Sequence, residues 1–213
     1  MCAASPARAV GHAFANRSPR CERPQGEPLS CDRKMSIHPN ELGTTLVGPC
    51  DDFSRWTAIQ RLVRPSEVVD LRERILSNPI FHDGLIGDEV GIYLDLMFRQ
   101  ALYRYTPDPD WSDRWQSAGT TAARGRGDCE DWAIVAYAVM LGLPVDACIV
   151  TGTLHGRGHA WVEFEDRGGW GLLEATTGEV DRHIRPARYR AELVLTIDNY
   201  TRIKPPLRTP WAA

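Results

Sequence analysis

Cys129, His159 and Glu174 are the residues in this sequence best suited to covalent chemistry. A thiol, an imidazole and a carboxylate can act as nucleophile, general base and orienting group. The thiol sits in Gly125-Arg126-Gly127-Asp128-Cys129-Glu130-Asp131, ahead of the apolar run Trp132 to Leu141. Glycines before it, acids in the first turn, and Gly142 with Pro144 after it predict a helix that Cys129 opens. The run is apolar on every side, so the helix should be buried. It is also too short to span a bilayer, which takes about twenty residues. The unpaired N–H groups and dipole of a helix start favour thiolate. Asp128, Glu130 and Asp131 oppose this by raising the thiol pKa, so an imidazolium is needed to hold the sulfur charged. The alternative is a small core cysteine at the end of a core helix.

The elements that must position the imidazole and the acid follow Pro144. Val145 to Leu154 reads as a strand, with Ala147, Ile149 and Thr151 on one face. His155 to Gly158 turns the chain. His159 to Glu165 is a second strand, Asp166 to Gly169 a hairpin turn, and Trp170 to Ala175 a third strand. On the second strand Ala160, Val162 and Phe164 should face the buried helix, leaving His159, Trp161 and Glu163 on the other side. A two- or four-residue hairpin loop pairs positions whose numbers sum to an odd value. His159 and Glu174 then share a face, opposite or one diagonal apart. Ala191 to Ile197 and Tyr200 to Ile203 suggest further strands.

Gly127-Asp128-Cys129-Glu130-Asp131-Trp132-Ala133, Gly158-His159-Ala160-Trp161-Val162-Glu163 and Trp170-Gly171-Leu172-Leu173-Glu174-Ala175-Thr176 together resemble the transglutaminase-like superfamily. The likeness is to its bacterial transglutaminase-like cysteine proteinases, and it covers Trp111 to Thr177. It implies an α+β, papain-like fold, with a central Cys-bearing helix packed on an antiparallel β-sheet. It also implies thioester chemistry on an amide: hydrolysis of a protein or peptide substrate, or acyl transfer to an amine. Cys129 would be nucleophile, His159 base and Glu174 orienter, although Glu stands where the family usually has Asp. Trp115 and Gln116, just upstream of the cysteine, are candidate oxyanion donors, with packing as the other role for the tryptophan. His155 and Trp161 are candidate substrate contacts. No cofactor is expected. Some relatives bind calcium through acids flanking the cysteine, which would make Asp128 and Glu130 its ligands here, against their role as helix-start acids. A metal set of His155 and His159 with Cys129 or Glu174 is a further alternative. A catalytically silent binding or scaffolding module is the non-enzymatic one.

The rest of the chain bounds these readings. A net charge of −3 over 213 residues gives no nucleic-acid surface and no anionic-membrane partner. Six cysteines with no CxxC pair suggest reduced thiols in a cytoplasmic protein. Residues 1–34, rich in Pro and Arg, read as a disordered tail without a secretory h-region. Residues 35–110 read as an N-terminal helical part, 111–204 as the core, and 205–213 as a loose end. Within the helical part, Asn40 to Ile59 reads as loops with one strand. Pro65 opens a helix to Leu76, and Asp88 to Tyr105 forms a longer helix with Ile92, Tyr93, Leu96, Met97 and Tyr103 on its core face. Oligomeric state is not legible.

Overall fold

The computed structural model describes residues 44–46, 51–77, 85–109, 113–182 and 187–203. The expected N-terminal tail, Trp111 and the C-terminal end at 205–213 lie outside them. Among the described residues no helix is long and apolar enough to cross a membrane.

In chain order the elements are β1 (Thr44–Leu46), α1 (Asp52–Leu62), α2 (Val69–Leu76), α3 (Ile86–Arg99), β2 (Arg104–Tyr105), β3 (Arg114–Gln116), α4 (Ala118–Arg124) and β4 (Arg126–Gly127). There follow α5 (Cys129–Met140), β5 (Asp146–Leu154), β6 (Arg157–Asp166), β7 (Gly169–Glu174), β8 (Glu179–Asp181), β9 (Tyr189–Leu195) and β10 (Tyr200–Arg202). The last six strands form one antiparallel sheet in the order β10-β9-β5-β6-β7-β8.

The cysteine-bearing helix α5 is central, as its composition requires. All its residues but Glu130 are buried. One side meets β5 and β6, and others meet α2, α3 and α4. Ala160, Val162 and Phe164 join the same core as α5, while Trp161, Val150, Leu172 and Tyr189 form a second cluster. The alternation on β6 therefore divides the strand as expected. At its far end α5 exposes carbonyls that lack intrahelical partners. Arg72 caps them: Nε donates to the Val139 carbonyl at 2.9 Å, and Nη2 to those of Ala138 and Leu141 at 3.0 and 2.7 Å. A cation at a helix C-terminus also complements its dipole.

Four expectations fail for local reasons. Residues 52–59, expected to be loop, lie in helix α1, started by Asp51, whose carboxylate accepts from the Ser54 N–H at 2.9 Å. The helix expected to run to Tyr105 ends at Arg99, because Ala101 takes a positive φ of 56° and Arg104 turns to pair with Arg126. Its buried face carries Ile86, Val90, Tyr93 and Leu94, leaving Ile92 and Leu96 exposed. The glycine-rich approach to Cys129 contains helix α4, with Ser117 as N-cap and Gly125 as left-handed C-cap. The turn expected over four residues is only His155-Gly156, both at positive φ, so β6 starts at Arg157.

The β6–β7 hairpin is held against α3 through a buried acid. Arg182 bridges Asp166 at 2.6 Å and also pairs with Asp88, and the Gly87 N–H donates to Asp166 at 3.1 Å. This clamp fixes the sheet edge that carries the candidate acid relative to the helical side.

Candidate active site

Asp131 builds the start of α5. Its carboxylate accepts from the Asp128 N–H at 3.3 Å, the Gln116 N–H at 2.6 Å and the Gln116 amide at 2.5 Å. The Gln116 amide also donates to the Arg126 carbonyl at 3.4 Å. Both hydrogens of that amide are therefore engaged inside the fold. The Trp115 indole is also engaged, donating to Asp113 at 2.8 Å, and its ring is buried. Trp115 and Gln116, expected as oxyanion donors, spend these hydrogens inside the fold, on Asp113, Asp131 and the Arg126 carbonyl.

His159 and Glu174 meet on one face of the sheet. The β6–β7 pairs sum to an odd number, Val162 with Leu173 and Asp166 with Gly169, which sets Glu174 one diagonal from His159. Nε2 of His159 lies 2.7 Å from Oε2 of Glu174. The same oxygen accepts from the Tyr189 hydroxyl at 2.9 Å. Oε1 takes the Thr176 hydroxyl at 2.6 Å and the Thr176 N–H at 3.2 Å. Burial alone would raise this carboxyl, but the hydrogen bond and charge of His159 and the two Thr176 bonds outweigh it. Its pKa falls below the usual range. An ionised acceptor holds the imidazole proton on Nε2, leaving the lone pair on Nδ1.

Cys129 lies in a cluster of acids at the start of α5. Its thiol donates to Oε2 of Glu130 at 3.0 Å and receives a hydrogen bond from the Ala160 N–H, beside His159. Burial pushes the thiol pKa up, and Glu130 and Asp128 push it further, with only the Ala160 N–H pulling the other way. The resting sulfur is thus a neutral thiol bound to a carboxylate. Burial and the charges of Glu130, Asp131 and Asp108 push Asp128 up to about 9. Asp113 is raised to about 6 by burial and by Glu130, and Asp131 to about 6 by burial, partly offset by Gln116.

These shifts set the sign of a stability change with pH. A carboxyl raised in the folded state favours the fold in its protonated form, and that stability is lost as pH rises through the folded value. Asp113 and Asp131 lose it up to about pH 6, and Asp128 on towards about 9. Glu174 has the opposite sign, but its window lies below the ordinary carboxylate range. The thermal midpoint in EGTA is therefore expected to fall by about 5 °C between pH 6 and 8, and Asp128→Asn to flatten that slope. A midpoint that rises over the interval in both proteins would contradict this picture.

The other predicted residues fall as follows. Trp161 is fully buried; its indole donates to Glu163 at 3.0 Å and its ring stacks at 6.2 Å from that of His159. It therefore supports the imidazole from within the sheet face and has no surface to offer a substrate. His155 is exposed at the β5–β6 turn. Three residues beside the site carried no assignment from sequence: Tyr189, Thr176 and Tyr105. Thr176 follows Glu174 by two, a spacing at which a side chain can bond its neighbour's carboxylate. The Tyr105 hydroxyl is pushed up to about 12 by burial and then by the charges of Cys129, Asp128, Glu130 and Glu174.

An α+β fold with a cysteine opening a buried central helix, against an antiparallel sheet, is the class defined here. Residues 95–175 match the transglutaminase-like superfamily. Among solved structures, the chain is similar to a candidate cysteine protease from Cytophaga hutchinsonii, at 18% identity and a TM-score of 0.43, covering 60% of this chain and 43% of that one. It is also similar to LapG of Legionella pneumophila in its calcium-bound form, at 16% identity and a TM-score of 0.46, covering 74% of this chain and 86% of that one. An EGTA-treated form of LapG matches at 15% identity and a TM-score of 0.46, covering 73% of this chain and 80% of that one. No curated protein sequence matches the chain.

Proposed function

We propose that the chain is a cysteine-dependent amide hydrolase or acyltransferase that works through a thioester on Cys129. The observation that carries this is the His159–Glu174 pair at 2.7 Å, with a cysteine at a helix start that accepts from the N–H of Ala160, the residue after His159. His159 Nδ1 takes the thiol proton as the sulfur adds to the substrate carbonyl carbon. The Cys129 N–H donates to the oxyanion. The carbon–nitrogen bond then breaks, the amine leaves with the proton from His159, and an acyl thioester remains. Water or an amine, deprotonated by His159, attacks that thioester and returns the thiol. Glu174 keeps Nε2–H in place throughout and stabilises the imidazolium. A protein or peptide is the substrate class that such a thioester serves.

Because Glu130 holds the resting thiol proton, attack requires that hydrogen bond to be given up. Calcium, the alternative raised by the flanking acids, fits in charge: Oδ1 of Asp128 is buried without a hydrogen-bond partner, in a crowded set of carboxyls. Asp128 and Glu130 would hold the ion. No third His, Cys, Asp or Glu side chain among the described residues joins them in a ready ligand set, so main-chain oxygens or water would complete its shell. Bound there, it would neutralise the charges that keep the sulfur protonated.

The test is acylation by p-nitrophenyl acetate, followed by stopped-flow and peptide mapping, in calcium and in EGTA. A burst of nitrophenolate is expected, with the acetyl group on Cys129 and a faster burst in calcium. Acetylation confined to lysines, with no burst in either buffer, would reject the reading and favour a silent binding module. The neutral thiol held by Glu130 is the feature such a module would share.

A further inference from the structure

The strand pair that delivers the chain into α5 has two sides. β2 and β4 run parallel, with Arg104 opposite Arg126 and Tyr105 opposite Gly127. Successive side chains in a strand point to opposite faces. Tyr105 and Gly127 therefore share one face, and Arg104 and Arg126 lie on the reverse. On that reverse side is a cavity of about 390 Å³ lined by Ala101, Leu102, Arg104, Arg124, Gly125 and Arg126.

The cavity is held open by the backbone. The Arg104 N–H donates to the Gly125 carbonyl at 2.9 Å, and a Cβ at Gly125 would meet the Leu102 carbonyl at 2.4 Å. Only glycine, at φ 63°, lets these two walls approach so closely. Arg124 is steadied by the Gln116 amide oxygen at 3.2 Å. Among the described residues no carboxylate pairs with any of the three guanidinium groups. Three guanidinium groups without a carboxylate partner among the described residues line one cavity and repel one another, and an anion relieves that repulsion. Guanidinium forks match carboxylates in particular.

We propose that this cavity is a docking subsite for an acidic segment of the polypeptide substrate, a class that rests on the thioester reading above. Two features favour a peptide over a small ion. The volume far exceeds that of a single oxyanion, and Leu102, 55% exposed, gives the wall an apolar surface for the stems of glutamate side chains. Substrate selection would then require an acidic segment elsewhere in the polypeptide than at the amide that is attacked.

Fluorescence anisotropy of fluorescein-labelled hexaglutamate against the full chain tests this, with Cys129→Ala as the protein so that no acylation intervenes. Saturable binding is expected, weakened by salt. Arg104→Ala and Arg126→Ala should each weaken it by about tenfold, with unchanged circular dichroism and thermal midpoint. Arg157→Ala, an exposed arginine on the β5–β6 hairpin, should leave it unaltered. Equal weakening by Arg157→Ala would reduce the effect to net charge and overturn the subsite. Displacement of the peptide by inorganic phosphate at its own dissociation constant would assign the cavity to small anions and overturn the peptide. Binding as expected without a nitrophenyl acetate burst would sink only the catalytic reading. A normal burst without peptide binding would sink only the subsite.

Discussion

Glu174→Gln is expected to slow acetylation of Cys129 by about a thousandfold or more, with little loss of fold. The size follows from triads in which the orienting acid becomes its amide and the imidazole is left in the wrong tautomer. Glu174 accepts every hydrogen bond around it: Nε2–H from His159, a hydroxyl from Tyr189, a hydroxyl and an N–H from Thr176. An amide cannot accept on both ends. With its oxygen toward Thr176, its NH₂ faces Nε2 and the Tyr189 hydroxyl. The imidazole then accepts at Nε2 and carries its proton on Nδ1, so no lone pair remains for the thiol. Glu174→Asp should keep the charge and a measurable part of the rate, because it loses reach but not acceptor character. The measurement is the single-turnover acetylation rate. A Gln variant within threefold of the parent would show that the acid does not set the tautomer.

Cys129→Ala should remove the burst altogether, a loss of about 10⁴-fold or more, set by the detection of uncatalysed hydrolysis. The replacement is structurally mild. Cys129 is a small buried residue in α5, and the helix start is built by Asp128 and Asp131, which stay in place. Cys148→Ala, on β5, serves as the matched control and should leave the burst intact. Retention of the full burst in Cys129→Ala, with acetyl now on another residue, would end the assignment of the nucleophile. The same pair of variants separates a general loss of thiol from the loss of this one.

Much of the molecule was legible along the chain because local pattern and tertiary need agree there. The all-apolar run after Cys129 admits only a buried helix, and the acids before it only a helix start. Period two from Asp146 to Glu174, with tight hairpins, fixes which side chains share a face, and so puts His159 beside Glu174. The superfamily follows from the same three stretches. What the chain could not reveal depended on partners far away in sequence. Gln116 reads as an oxyanion donor until Asp131 is seen to take its amide. Trp161 reads as a cleft residue until the sheet face closes over it. Arg104 and Arg126, twenty-two positions apart, become one cavity wall only when β2 and β4 pair, and Tyr189 reaches Glu174 only from another strand. The sequence by itself determined which groups are present and on which face of which element they lie. The tertiary structure decided where each proton and each charge rests, because hydrogen-bond partners and burial depend on packing, which no local pattern encodes.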